Sequence, residues 1–296
     1  MEEFNNKSRF STVGNLKTLS TPCVLSDFID YWDKVIANWF VGKSDPEQVE
    51  YGKLMNADYM PEPYLGNPCK CSFVIVNYNA GGGNNQEYHI YKPCCGCTIH
   101  GDLLSRLVRN SSYSEIELPF PYLETFPALK AKGHESIKDY SGYGWWQNKK
   151  LWIDNVCKAA GVKSIDDGVM PFAIELCAWH SKSWSDTSMI ISNPALKKVV
   201  EDRVINVIKT AIDHSEAKFA YFIGKMHIPL LLAYDFEQIG GSPITATAPK
   251  GKNRFFATFE HRVTGHKAIV TWTIGSNKHP GKNFFGIEDA MIKTII

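Results

Sequence analysis

The sequence predicts an α/β protein, a three-layer α/β/α sandwich around a central, mostly parallel sheet, and three observations carry that expectation. Short continuous apolar runs rich in β-branched and aromatic residues recur along the chain, as suits strands covered on both faces. Stretches with helical apolar periodicity lie between them. The 296 residues are 44% hydrophobic, ample for a sizeable core.

The first helix is expected over residues 26–40, where Ser26 or Asp27 can cap and Phe28, Trp32, Val35, Ile36 and Trp39 recur on one face. Residues 72–78 form the first strand run. Residues 110–148 follow a different rule: Pro119, Pro121 and Pro127, with Tyr140, Tyr143, Trp145 and Trp146, show little periodicity and read as a long functional loop insertion. A helix over 151–161 ends at Gly161, and a strand run occupies 171–177. Asn193-Pro194, a cap residue followed by proline at the first helical position, opens a helix with Leu196, Val199, Val200, Val204, Val207, Ile208 and Ala211 on one face. Further strand runs fall at 219–223 and 267–274. Residues 255–263 and 267–272 flank Thr264-Gly265-His266 as a hairpin at one edge, and 286–296 reads as helical. The organisation that follows is an N-terminal helical segment, 1–60, packed on a main domain, 61–296.

Charge and composition narrow the function. Thirty-two Lys and Arg against 31 Asp and Glu leave a formal net charge of +1, so any nucleic-acid face must be local. Glu2, Glu3, Lys7, Arg9 and Lys17 break up the first twenty residues, and no stretch reaches the roughly 18 apolar residues of a membrane span. A cytoplasmic protein, monomeric and without a membrane partner, is expected. The eight cysteines belong to a chain long enough to need no disulfide framework, so reduced thiols are expected.

Ligands of open α/β sheets bind beyond the carboxyl ends of the strands, so the segments after each strand run are where chemistry is sought. The first, Asn77-Tyr78-Asn79-Ala80-Gly81-Gly82-Gly83, combines neutral amides with glycines that let backbone approach a ligand closely. It lacks the spacing and lysine of a nucleotide P-loop. The second, Gly275-Ser276-Asn277-Lys278-His279-Pro280-Gly281-Lys282-Asn283-Phe284-Phe285, sets an imidazole and two ammonium groups among turn residues, suited to phosphates and developing negative charge. Each alone reads equally well as a turn.

Together the two segments resemble the motif pair of the uracil-DNA glycosylase superfamily, in particular its single-strand-selective and mismatch-specific branches, across roughly residues 60–290. Asn77–Gly81 matches the family's Gly-hydrophobic-Asn-Pro-Gly turn, with Ala80 in place of proline. His279–Asn283 matches its His-Pro-Ser-Pro loop, with Gly281 in place of serine. The resemblance implies that Asn79 positions the attacking water and that His279 donates a hydrogen bond to the departing base. It also implies that no metal or cofactor is needed, that Asn77, Gly81, Gly82, Tyr88, Ser276 and Asn277 line the base pocket, and that Lys278, Lys282, Asn283 and Phe284 hold DNA with the target nucleotide flipped out.

One position departs in chemistry. Glu175 falls at or near the place where the family has an Asn that reads the uracil edge. An ionised carboxylate only accepts hydrogen bonds, which favours an exocyclic amino group and hence a modified cytosine, of the kind found in phage DNA, over plain uracil. The competing reading is an acid paired with a nearby Lys or Arg. Cys69 and Cys71, with Cys94, Cys95, Cys97 and His100, form a cluster open to zinc or an iron-sulfur centre, but the spacing matches neither and free thiols are favoured. His180-Ser181-Lys182 and Tyr234-Asp235 lack a nucleophile elbow or ligand spacing and read as pocket-lining or structural. The expected function is a monofunctional DNA glycosylase acting in repair or antiviral defence. The alternatives are a nucleoside or nucleotide hydrolase using the same pocket, and a non-catalytic binder of damaged or modified DNA.

Overall fold

The computed structural model describes residues 23–40, 61, 63–65, 68–81, 152–167, 169, 171–181, 188–248, 252–271 and 292–295. In chain order the elements are α1 (Cys23–Phe40), β1 (Tyr64–Leu65), β2 (Val74–Gly81), α2 (152–160), a 3₁₀ turn (Ile165–Asp167), β3 (Phe172–Ser181), α3 (Ser188–Ser192), α4 (Pro194–Val200), a π-turn (Glu201–Ile205), α5 (Asn206–Asp213), β4 (Ala220–Ile223), α6 (His227–Ala233), β5 (Phe236–Ala248), β6 (Lys252–His261) and β7 (Lys267–Thr271).

The strands form one seven-stranded sheet in the order β1-β3-β2-β4-β7-β6-β5. The central strands β3, β2, β4 and β7 are parallel, whereas β1 at one edge and the β6–β5 pair at the other are antiparallel. The sheet is therefore mixed, and the mostly parallel expectation holds only for its centre. The difference lies in β5, which the sequence hides: Gly240, Gly241 and Pro243 interrupt its apolar pattern. Its register shifts between Ile239 and Ile244, and Gly240 takes φ +76°, so the strand accommodates these residues as a bulge. As the outermost strand it also tolerates a proline that cannot donate to a ladder. The expected hairpin around Gly265 (φ +70°) does join β6 to β7, but β5 displaces it from the edge.

Strand alternation divides the core. Val74 and Val76 join one cluster with Leu25, Phe28 and Trp32 of α1, Leu196 and Val200 of α4, and Leu230 and Leu231 of α6. On the opposite face of β2, Phe73 meets Trp152 of α2 edge-on at 5.4 Å and packs at 6.0 Å against both Phe219 and Tyr221. Helix α1 includes Cys23–Leu25, so the residues expected to cap it, Ser26 and Asp27, lie inside the helix. Phe28, Trp32 and Val35 of the expected face are buried, the side chains of Ile36 and Trp39 lying outside the described residues; Phe28 meets Tyr64 at a tilt (5.0 Å) and Phe172 edge-on (6.5 Å).

Helix ends follow local chemistry. Gly161 (φ +66°) closes α2, its N–H and that of Val162 returning to the carbonyls of Lys158 and Cys157. At α4 the Asn193 Oδ1 accepts from the backbone N–H of Ala195 (3.0 Å) and Leu196 (3.3 Å), with Pro194 beside it. Asn193→Ala is expected to lower stability by about 1 kcal/mol, read as a lower urea midpoint at unchanged m. The π-turn keeps Leu196, Val200, Val204, Val207, Ile208 and Ala211 all buried through α5. Among the described residues no helix is long and apolar enough to cross a membrane.

Candidate functional site

Because β2, β4 and β7 are parallel neighbours, their carboxyl ends lie at one end of the sheet. Only β4 separates β2 from β7, about 10 Å at the usual strand spacing. The chain passes from β2 to β3 on one side and later returns to β4 on the other. The strand order thus reverses between β2 and β4, the position where such sheets form a ligand crevice. The segment carrying Ser276, Asn277, Lys278, His279, Lys282, Asn283 and Phe284 follows β7 from this same end and itself lies outside the described residues, as do Gly82 and Tyr88.

The first motif is not a loop at its start. β2 continues through Gly81, with Asn77 paired to Glu175 and Asn79 to Cys177 in the parallel β2–β3 ladder before the register shifts between Asn79 and Gly81. Glu175 likewise sits within β3 rather than at its end. Asn77 shares the Phe73 and Ile75 face by alternation, and register places Glu175 beside it. The Asn77 Nδ2 donates to Glu175 Oε1 at 2.9 Å, while Glu175 Oε2 is buried and has no hydrogen-bond partner. Part of the residue reaches the surface; its carboxyl group does not.

That environment changes the chemistry expected of Glu175. Burial raises its pKa from 4.5 to about 8, the Asn77 hydrogen bond opposing only in part. At neutral pH the carboxyl is predominantly protonated, so it offers a donor as well as an acceptor. The acceptor-only reading assumed an ionised group. Among the described residues Glu175 meets an amide, not a Lys or Arg.

Across the strand, Tyr78 belongs to the opposite face. Its ring stacks on His227 at 4.2 Å and 17° between planes, and Phe222 meets the same imidazole edge-on at 5.2 Å. His227 is fully buried, and neither ring nitrogen has a hydrogen-bond partner among the described residues. Burial lowers its pKa to about 3, weakly opposed by the nearby Ile223 carbonyl, so the ring is neutral. The position rule applied to Asn77 would have found it: His227 opens α6 four residues after β4 ends, beside the β2–β4 reversal.

Comparison with protein-family models, curated proteins and solved structures finds no match. The glycosylase resemblance rests on the sequence motifs alone.

The remaining expected groups separate. Cys71 is a buried thiol that donates to Ser215 Oγ at 3.4 Å, and burial pushes its pKa up to about 12, which disfavours the thiolate a metal requires. Burial also raises the half-buried Cys69. Cys94, Cys95, Cys97 and His100 lie outside the described residues, among which no group of three or more His, Cys, Asp or Glu assembles as a metal site. Tyr234 is structural: its hydroxyl donates to the Lys197 carbonyl at 2.7 Å.

Proposed function

We propose that the protein is a DNA glycosylase that hydrolyses the bond between sugar and a flipped-out base, with a modified cytosine among its targets rather than uracil alone. The observation that supports this best is that β2, which carries Asn79, and β7, which the His279 motif follows in sequence, flank β4 with their carboxyl ends at the same end of the sheet. In this reading Asn79 holds the water and His279 stabilises charge on the leaving base, and no covalent intermediate is required. Glu175 reads the base. A protonated carboxyl, donor beside acceptor, complements the amino group and ring nitrogen of cytosine and fits the carbonyl and ring N–H of uracil as well, so both edges are admitted.

The test is incubation with oligonucleotides bearing uracil, hypoxanthine and several modified cytosines, together with phage DNA, followed by detection of abasic sites. Release of base is expected, falling about 10²- to 10³-fold in His279→Ala and likewise reduced in Asn79→Ala. No abasic product from any substrate, or full activity in both variants, defeats the proposal. Release from free nucleosides alone would identify a nucleoside hydrolase.

A further inference from the structure

The hairpin between β6 and β7 carries a relay of side chains that the candidate site does not use. Asp213, the last residue of α5, places Oδ1 2.8 Å from His266 Nε2. His266 Nδ1 lies 2.6 Å from Thr264 Oγ1, which in turn lies 2.8 Å from His261 Nδ1. Only 10% of the His266 side chain is exposed, so its ring depends on these partners more than on water.

One donor in the relay cannot be reversed. The backbone N–H of Thr264 donates to His261 Nδ1 at 3.2 Å, which fixes that nitrogen as an acceptor. Burial, with the charges of Lys209 and His266, also holds His261 below the usual histidine range against the opposing Asp235, which favours the neutral ring. The Thr264 hydroxyl therefore gives its single proton to His261, and its oxygen accepts from His266 Nδ1. At the other side of the ring, Nε2 faces a carboxylate, which only accepts. Every contact is satisfied when His266 donates from both nitrogens, as an imidazolium. Neither neutral tautomer achieves this. With the proton on Nε2, the Thr264 hydroxyl turns to His266 and its oxygen is left against the bare His261 Nδ1. With the proton on Nδ1, a bare Nε2 faces Asp213 at 2.8 Å. Placing the proton on Asp213 instead would put it on the weaker base of the two.

Helix α5 adds an independent argument. A helix dipole disfavours a carboxylate at the C-terminus and favours a cation there. Asp213 stands at that end of α5, and an imidazolium beside it offsets the unfavourable charge. The other charged groups around the hairpin leave the pairing intact. Arg262 is engaged with Glu237 at 3.2 Å and Lys267 with the Ile295 carbonyl, the Glu260 carboxylate lies beside Gly265, and Lys209 and Asp235 act on His261 with opposite sign.

We propose that Asp213, His266 and Thr264 form a proton-operated clasp that fastens the β6–β7 hairpin to the end of α5, closed while His266 is an imidazolium and released when it loses one proton. The hairpin keeps its own backbone bonds in both states, Gly265 N–H to the His261 carbonyl and His261 N–H to the His266 carbonyl. What changes is its attachment to α5, whose Val207, Ile208 and Ala211 share a core cluster with Val74 and Val76 of β2. The clasp does not depend on the glycosylase reading.

Hydrogen exchange at the Thr264 amide, read by NMR on the full chain as a protection factor at pH 5.5 and 8.5, tests the clasp. These two values bracket an ordinary imidazole titration. At pH 5.5, Asp213→Ala and His266→Gln are each expected to lower protection about 2- to 5-fold, and the double variant to lower it no further. At pH 8.5 neither variant is expected to differ from wild type. Asp213 is 57% exposed, so its truncation leaves the core untouched and the variant folded. No loss at pH 5.5, or a loss in Asp213→Ala of the same size at both pH values, overturns the clasp. Imidazole nitrogen spectra at pH 5.5 that place a proton on His261 Nδ1 overturn the relay that closes it.

Discussion

Raising the pH from 6.5 to 8 is expected to cost the wild-type protein about 1 kcal/mol of stability, and to cost Glu175→Gln none. The folded pKa of Glu175, about 8, exceeds the ordinary 4.5, so its contribution is fully present below 4.5 and is lost as pH rises through 8. His227 has the opposite sign. Its folded pKa, about 3, lies below the ordinary 6.5, so its contribution is present above 6.5 and is lost as pH falls towards 3. Between 4.5 and 6.5 the two slopes, each about 1.4 kcal/mol per pH unit, cancel. From 6.5 to 8 Glu175 dominates, its slope halving at the folded pKa and partly offset by the last of the His227 slope, which gives about 1 kcal/mol; from 4.5 down to 3 His227 dominates, with a similar loss. The exposed Asp167, whose pKa backbone and side-chain hydrogen bonds from Ser164 lower, adds to the acid limb in direction.

Two variants separate the limbs. Glu175→Gln keeps an oxygen for the Asn77 amide but cannot ionise, so the alkaline limb flattens and the variant is the more stable protein at pH 8. His227→Phe preserves the stack on Tyr78 and removes the acid limb. Urea unfolding at pH 3.5, 5.5 and 8.5 reads both effects. An alkaline limb of wild-type size in Glu175→Gln shows that the carboxyl is not held protonated. The same protonation is expected to govern the proposed reaction, with excision of a cytosine-type base declining as pH rises past 8 in wild-type protein.

What was legible in the sequence was set by local chemistry with a strong geometric signature. Asn193-Pro194 marks the start of α4 because cap and proline each satisfy a specific backbone requirement, and Gly161 marks the end of α2 for the same reason. The runs leading to β2, β3, β4 and β7 were visible because strands buried on both faces must be apolar throughout. β5 was not visible: an edge strand with a bulge escapes that requirement and can carry Gly240, Gly241 and Pro243. The candidate site was legible only as an address. The carboxyl ends of β2 and β7 pointed to it, but the protonation of Glu175 depends on burial and on the Asn77 amide across the ladder, 98 positions away in sequence. Residue type alone suggested an ionised acceptor. His227 shows the same limit, since its neutrality follows from enclosure by Tyr78 and Phe222 rather than from its neighbours in sequence.

Phe73→Ala is expected to be the most damaging single truncation on the α2 side of the sheet, costing about 3–5 kcal/mol. The side chain is almost wholly buried, immediately before β2, and three aromatic partners close around it: Trp152 from α2, Phe219 just ahead of β4 and Tyr221 within it. Removing the ring leaves a cavity that none of the three can fill, because Trp152 and Tyr221 already meet each other at 4.5 Å. Aromatic pairs of this geometry contribute about 0.5–1.5 kcal/mol beyond the area they bury. A domain with roughly 5–15 kcal/mol of net stability would lose a large part of it. Phe73→Leu, which refills most of the volume, is expected to cost markedly less. Urea midpoints at unchanged m measure both, and a loss below about 1 kcal/mol for Phe73→Ala would show that α2 does not pack on this face. The consequence extends to the site, because Phe73, Ile75 and Asn77 alternate along the same face of β2. The packing that fixes α2 at the base of that strand also fixes the line along which Asn77 reaches Glu175.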